Sequence, residues 1–379
     1  MGRERLSARA FVEVDKSVMR EGGSATKRGE QRHKEGKGLD PLVDPKGYGV
    51  TRRSLSWLEP QDDHFVLLRG TAMLVEDRLD TTGSMGGNVD IAFKSLPRSF
   101  KLMATGDNPV LGRYDLQMIT AIFGDVRDNY VLCRSQAEMD DRIAEQMRLM
   151  VPERAGADTE EDPHYGLFGA AYLTQSNAVM LGLKSYDFTI TDAPARRLLD
   201  LDTLKRVFGA EVLEKVKENG FQITGKNIPE TREVVQDLLK TAHAFLLQVG
   251  DASETTTFWT PIFGPERIVE LPSVEYLPEV RAAIIGLTEG VLNLQNLRDF
   301  LKDHCKLSKP VADKIREAVA GIPLGAQAAL PNWKKIPLQG ALFAKKGDLW
   351  PIGFDANGEP VSTGAASPGK KPKKEKIWL

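Results

Sequence analysis

Two cysteines in 379 residues, Cys133 and Cys305, are too few for a disulfide framework, and no CxxC pair offers a thiolate metal site. The five histidines, His33, His64, His164, His243 and His304, are scattered, with no two at ligand spacing. Zinc or copper held by nitrogen and sulfur therefore has no support. No apolar run approaches the ~20 residues of a membrane-spanning helix, and the opening stretch MGRERLSARAFVEVDKS lacks a signal peptide's apolar core. The P-loop, GxGxxG, HExxH and GxSxG patterns are missing, which leaves nucleotide hydrolysis, zinc proteolysis and serine hydrolase chemistry without a motif. Charge of one sign is missing too. Lys and Arg number 51 against 53 Asp and Glu, so the net charge of −2 exerts no global pull on nucleic acid. The expectation is a reduced, cytoplasmic protein with no membrane contact.

What is present divides the chain. Residues 1–53 hold many Gly, Lys and Arg and almost no periodic apolar positions, which predicts a basic, poorly ordered arm. From His64 the character changes. HFVLLRGTAMLVED is strand-like, and Val89, Phe93, Leu96 and Phe100 then recur at helical spacing. Leu116–Phe123, Tyr186–Thr191 and Ala242–Gly250 predict further strands. Ala137–Met150, Leu201–Asn219, Pro229–Thr241 and Val280–Val291 predict helices, as does the small-residue segment HYGLFGAAYLTQS. Strands alternating with helices over residues 54–290 imply an α/β domain, a doubly wound and mainly parallel sheet flanked by helices. Residues 291–367 predict a C-terminal helical and irregular extension, and 368–379 a Lys-rich tail ending in Ile377-Trp378-Leu379.

The stretch Asp80-Thr81-Thr82-Gly83-Ser84-Met85 carries the chemistry. It sets one carboxylate and two hydroxyls at alternate positions on the turn between a strand and a helix. Only oxygen is offered, which suits a hard cation such as Mg²⁺, Mn²⁺ or Ca²⁺. An ordinary polar turn capping a helix uses the same residue types. Asp125, the loop GADTEED (156–162) and Asp192 in TITDAPARR also follow strands, at the edge where α/β sheets bind ligands. Asp125 fits an outer position at such a site and a strand-end turn equally well. His164 is expected to face solvent from its helix, and Cys133 to pack as a small apolar residue.

With these loops in place the chain resembles a von Willebrand factor A domain over roughly residues 64–290. That family is a doubly wound α/β fold with a metal-ion-dependent adhesion site, whose first loop has the pattern Asp-x-Thr/Ser-x-Ser. Here it stands as Asp80, Thr82 and Ser84. The resemblance implies a second-loop ligand from GADTEED, similar to the Gly-Gly-Asp-x-Pro-Glu-Asp form, with Asp158 or Thr159 as the candidate. It implies Asp192 as the third-loop ligand. Thr82 and Ser84 would bind Mg²⁺ (or Mn²⁺ or Ca²⁺) directly, and Asp80 and Asp192 largely through water.

The function implied is a cation-dependent protein–protein interaction module, an adaptor or scaffold that binds a partner's Glu or Asp through an open metal position. The resemblance further suggests a MoxR-type AAA+ ATPase as partner, with the Lys-rich tail as docking peptide. Two other classes compete: a ribonucleoprotein-like protein binding nucleic acid through the basic arm, and a metal-dependent hydrolase or phosphotransferase, for which no nucleophile or base stands out.

Overall fold

The computed structural model describes Lys16 and residues 25–105, 109–140, 142–153, 160–250 and 253–361. The strands are β1 (Arg52–Ser54), β2 (Leu58–Gln61), β3 (His64–Leu67), β4 (Ala72–Asp80), β5 (Asp115–Phe123), β6 (Leu132–Arg134), β7 (Thr174–Ser176), β8 (Ser185–Thr191), β9 (Ala242–Gln248), β10 (Ile268–Glu270) and β11 (Leu342–Phe343). The main sheet runs β10-β9-β8-β4-β5-β6. All its pairings are parallel except β5 with the edge strand β6. Every residue of β4 and of β5 is buried; the first half of β4 and most of β5 are apolar, as in a helix-covered parallel sheet, while Glu76, Asp77, Arg78 and Asp80 of β4 are buried charges.

Among the described residues, the α-helices of four or more residues are α1 (Lys27–Lys34), α2 (Asn88–Phe100), α3 (Arg142–Met147), α4 (Pro163–Tyr172), α5 (Asn177–Met180), α6 (Leu201–Phe208), α7 (Val212–Glu218), α8 (Thr231–Thr241), α9 (Ser253–Phe263), α10 (Leu277–Glu289) and α11 (Lys309–Ala318). They cover both faces. Val75 and Leu79 of β4 and Phe188 and Ile190 of β8 pack with α2 and α10 in one core. Ala244 and Leu246 of β9 pack with α4, α6 and α8 in the other. Side chains alternate across a strand, so one sequence feeds two cores. The doubly wound α/β class read from the sequence is the observed one.

Several boundaries differ. Among the described residues of the expected 137–150 helix, six are helical, since Glu138 forms a β-bridge with Met118 and Asp140 Oδ1 accepts from Arg142 N at 3.1 Å, at the first turn of the helix. The 201–219 helix is two helices, parted where Gly209 takes φ 96°, a conformation that ends a right-handed helix. Residues 25–53 of the expected arm are packed. Val43 is fully buried, Gly29 N donates to Arg148 O, and the buried Arg52 guanidinium donates to the carbonyls of Asp44, Gly47, Gly49, Arg134 and Ser135. Isolated Arg and Gly residues carry no periodicity, so sequence pattern could not show that the backbone wraps one guanidinium.

The C-terminal extension also joins the body. Phe343 of β11 pairs with Phe65 of β3 in a small sheet. Trp333 Nε1 donates to Glu289 Oε2 at 2.9 Å, and the Arg113 guanidinium lies 4.0 Å over the Trp333 ring.

A candidate metal centre at the switch point

From β4 the chain crosses to β5 on one side and later to β8 on the other, so the crevice between β4 and β8 is the topological switch point. Leu79 stands opposite Ile190, which sets Asp80 level with Thr191. The next residues leave the sheet as two loops side by side. Register alone thus brings the 80–85 motif against Asp192.

Asp80 is wholly buried, and its carboxylate is fully occupied. Oδ1 accepts from Thr82 N (2.9 Å) and Thr82 Oγ1 (2.7 Å), and Oδ2 accepts from Thr191 Oγ1 (2.7 Å). Thr82 Oγ1 lies 3.2 Å from Ser84 Oγ, which donates to Asp192 Oδ1 at 3.0 Å. A short 3₁₀ turn, Gly83–Met85, follows, and its end residue Gly86 sits at φ 47°. The Asp192 loop is pinned from α9: Thr255 Oγ1 donates to Asp192 O (2.7 Å) and Trp259 Nε1 to Ala193 O (3.1 Å). Four side chains predicted from sequence, Asp80, Thr82, Ser84 and Asp192, therefore form one continuous oxygen cluster. Asp158 and Thr159 lie outside the described residues.

Beyond this cluster stands a residue the sequence reading passed over. Glu161 is buried, and its backbone forms a parallel β-bridge with Ala195, its N–H donating to Pro194 O at 3.0 Å. In extended backbone neighbouring side chains point opposite ways. Glu161 faces Asp80 and Thr82, whereas Asp162 turns to Val126 N (2.6 Å) and the Arg196 guanidinium. The signal lay in the sequence. The Glu-Asp ending of GADTEED matches the ending of the Gly-Gly-Asp-x-Pro-Glu-Asp form. Thr191, a second omission, has no motif signature, because its role comes from strand register.

The electrostatics follow from burial. Desolvation pushes the Asp80 carboxyl up to about 6 against hydrogen bonds from Thr191 and Thr82. Desolvation and then the Asp80 charge push Glu161 up to about 9, against a hydrogen bond from Thr82. At neutral pH without a cation, Glu161 is thus held protonated. Desolvation raises Asp162 to about 6 in spite of Arg196. Asp125 goes the other way: desolvation is outweighed by hydrogen bonds from Arg127 and Arg196, which hold it at about 2. Arg196 bridges Asp125 and Asp162. His164 is wholly buried 3.5 Å from Asp162 Oδ1, with its imidazolium pKa driven down to about 3 by desolvation. The expectation that it faces solvent fails because α4 is buried on every side, covered by the sheet and α8.

Among the described residues, no three His, Cys, Asp or Glu side chains converge as a cage. The cluster instead offers carboxylates interleaved with hydroxyls, and Glu161 Oε2 is buried with no hydrogen-bond partner. That donor set, with an unpaired buried oxygen beside it, fits a hard divalent cation. Beside it, a cleft of about 570 Å³ opens between α8 and α9, with Pro194, Arg197, Arg232, Glu254 and Phe258 in its walls.

The fold and the seat of the motif define the class. The architecture is von Willebrand factor A-like, with the Asp-x-Thr-x-Ser loop on the strand beside the switch point. No family model and no curated protein matches the chain. Among solved structures it is similar to the pilus adhesin SpaC from Lactobacillus rhamnosus GG (13% identity, TM-score 0.36, 62% of this chain and 34% of that one). Proximal thread matrix protein 1 from the mussel byssus, with a zinc-occupied metal-ion-dependent adhesion site, is similar at 11% identity and TM-score 0.34, over 72% and 73%. A von Willebrand factor type A protein from Catenulispora acidiphila is similar at 10% identity and TM-score 0.31, over 63% and 51%. The chain thus spans about a third of SpaC and half of the Catenulispora protein. Likeness at this level says nothing of ligand or partner. Among the described residues, no helix is long and apolar enough to cross a membrane.

Proposed function

We propose that this protein is a divalent-cation-dependent protein-interaction module whose metal centre is the Asp80–Thr82–Ser84–Asp192 cluster. The observation that carries the reading is the chain of contacts from Thr191 through Asp80, Thr82 and Ser84 to Asp192, which joins two loops into one oxygen-lined seat. Ser84 is exposed, so the seat is open to another molecule. Thr82 and Ser84 are neutral ligands. A cation held largely by such groups keeps enough charge to attract a partner's Glu or Asp, and the adjoining cleft can take the flanking residues. Mg²⁺ fits the all-oxygen donor set.

The finer reading is an adaptor, in a cytoplasmic setting, for a MoxR-type AAA+ ATPase, with the Lys-rich 368–379 tail as docking peptide. That tail and the 1–24 part of the basic arm fall outside the described residues, Lys16 excepted. The test is affinity capture from the native host by the full chain, with Mg²⁺ and with EDTA. Wild type should retain the metal-bridged target only with Mg²⁺, Asp80→Ala should lose that target in both conditions, and removal of residues 368–379 should release the tail-docked ATPase. Equal recovery in Mg²⁺ and EDTA rules out the metal-bridged mode.

A further inference from the structure

The other end of the sheet, where its parallel strands begin, gathers three basic side chains. Lys184 immediately precedes β8, His243 is the second residue of β9, and Arg267 immediately precedes β10. Tyr186 pairs with His243 and Leu246 with Ile268, so strand alternation sets all three on the face towards α10. With Phe245, Thr288 of α10 and Leu330 of the extension, they line a cavity of about 150 Å³. Among the described residues lining it, none is a carboxylate. The volume equals about five waters, room for a small oxyanion and too little for a nucleoside.

These groups are held in place with donors to spare. Gln327 is fully buried, and its Oε1 accepts from Lys184 N (3.3 Å) while its Nε2 donates to Lys184 O (2.8 Å). The backbone thus sets the direction of the amide. Gln327 Oε1 lies 2.9 Å from His243 Nε2, which places the imidazole proton there and leaves Nδ1 as an acceptor. Lys184 Nζ uses one donor on Leu239 O at 2.6 Å. Arg267 Nη1 pairs with Glu266, whose carboxylate lies back against Gly264, and the rest of the guanidinium fork remains. Desolvation is the main cause that lowers the pKa of all three. Arg267 further depresses Lys184, and both depress His243. Like charges crowded into a half-buried cavity are costly until an anion shares them.

We infer that this cavity binds inorganic phosphate, with anionic oxygens on Lys184 and Arg267 and a P–OH donating to His243 Nδ1. Two cationic donors beside one neutral acceptor match an ion that carries both negative oxygens and a proton. Phosphate keeps a P–OH at neutral pH, and sulfate does not. Bound there, the ion ties the starts of β8, β9 and β10 to residues 323–330 of the extension and tightens its seat on the sheet. The site lies at the opposite end of the strands from Asp80 and does not depend on the metal centre.

The experiment is calorimetric titration of the full chain in EDTA with inorganic phosphate, sulfate and chloride at matched ionic strength, for wild type, Arg267→Gln and Lys184→Gln. Thermal melts over the same millimolar range accompany each. Wild type should bind one phosphate saturably, and its melting temperature should climb with phosphate by mass action. Sulfate should bind roughly tenfold more weakly, lacking the proton for Nδ1. Chloride should give no saturable heat. Each variant should melt cooperatively and lose roughly tenfold in phosphate affinity. If one variant fails to fold, the other and the comparison of phosphate with sulfate in wild type still decide. No saturable phosphate binding by wild type overturns the inference. Equal phosphate affinity in wild type and a folded variant overturns it by placing the ion elsewhere. Sulfate binding as tightly as phosphate overturns the P–OH contact. A rise in melting temperature shared by all proteins and by both oxyanions marks general salt exclusion, and overturns it as well.

Discussion

His243 lies on β9 beneath the C-terminal extension, where its Nε2 is 2.9 Å from Gln327 Oε1. Burial, outweighing the help from Gln327, lowers its pKa from 6.5 to about 4, with Lys184 and Arg267 adding to the fall. The folded form therefore binds its proton less readily than the unfolded form. Stability present above pH 6.5 is lost as pH falls towards 4, by about 3 kcal/mol for this one group. Urea unfolding at pH 7 and pH 4.5 should show a smaller acid loss for His243→Gln than for wild type. At the metal centre, Ser84→Ala should abolish saturable Mn²⁺ binding while leaving the urea midpoint in EDTA within about 0.5 kcal/mol of wild type, because its hydroxyl is exposed. Asp80, Thr82, Ser84 and Asp192 were readable because three of them share one short local motif and the fourth ends a strand. Glu161 was harder. Its direction depends on a bridge to residue 195, which spacing within the loop does not encode.

Elements bring a different constraint. Beneath α4, Arg78 Nη2 and Nη1 grip Asp187 at 3.0 and 3.1 Å, and Glu76 takes Arg134 at 2.6 and 2.9 Å. All four are buried charges inside a sheet face that sequence reads only as strand. Removing one partner strands the others, so Asp187→Ala should cost about 3–5 kcal/mol, measurable by urea unfolding in EDTA. Gly166 lets α4 lie on this ladder. A Cβ there would meet Arg78 Nε at 2.4 Å and Cδ at 2.5 Å. Gly166→Ala should therefore destabilise by about 1–3 kcal/mol despite alanine's better helix propensity. The small-residue run HYGLFGAAY announced a helix, and the reason for its first glycine, Gly166, is the Arg78 side chain from another element.

At the scale of the molecule, α10 is buried around its whole circumference, with Arg281 paired to Asp77 and Glu289 taking Tyr114, Tyr186 and Trp333. A helix buried on all sides needs cover on each, and the extension supplies the outer part through Trp333 and Gln327. A chain ended at Gly290 should aggregate, or melt well below the full chain, in differential scanning calorimetry. What the sequence by itself determined is the α/β alternation, the doubly wound class and the oxygen-donor motif, because these rest on local periodicity and on residues adjacent in the chain. The tertiary structure alone decided that residues 25–53 pack on the body, that Thr191 and Glu161 face Asp80, and that four charges share one buried sheet face. Each of those depends on strand register or on contacts between distant segments, and the side chains that make them are polar residues whose partners no local pattern names.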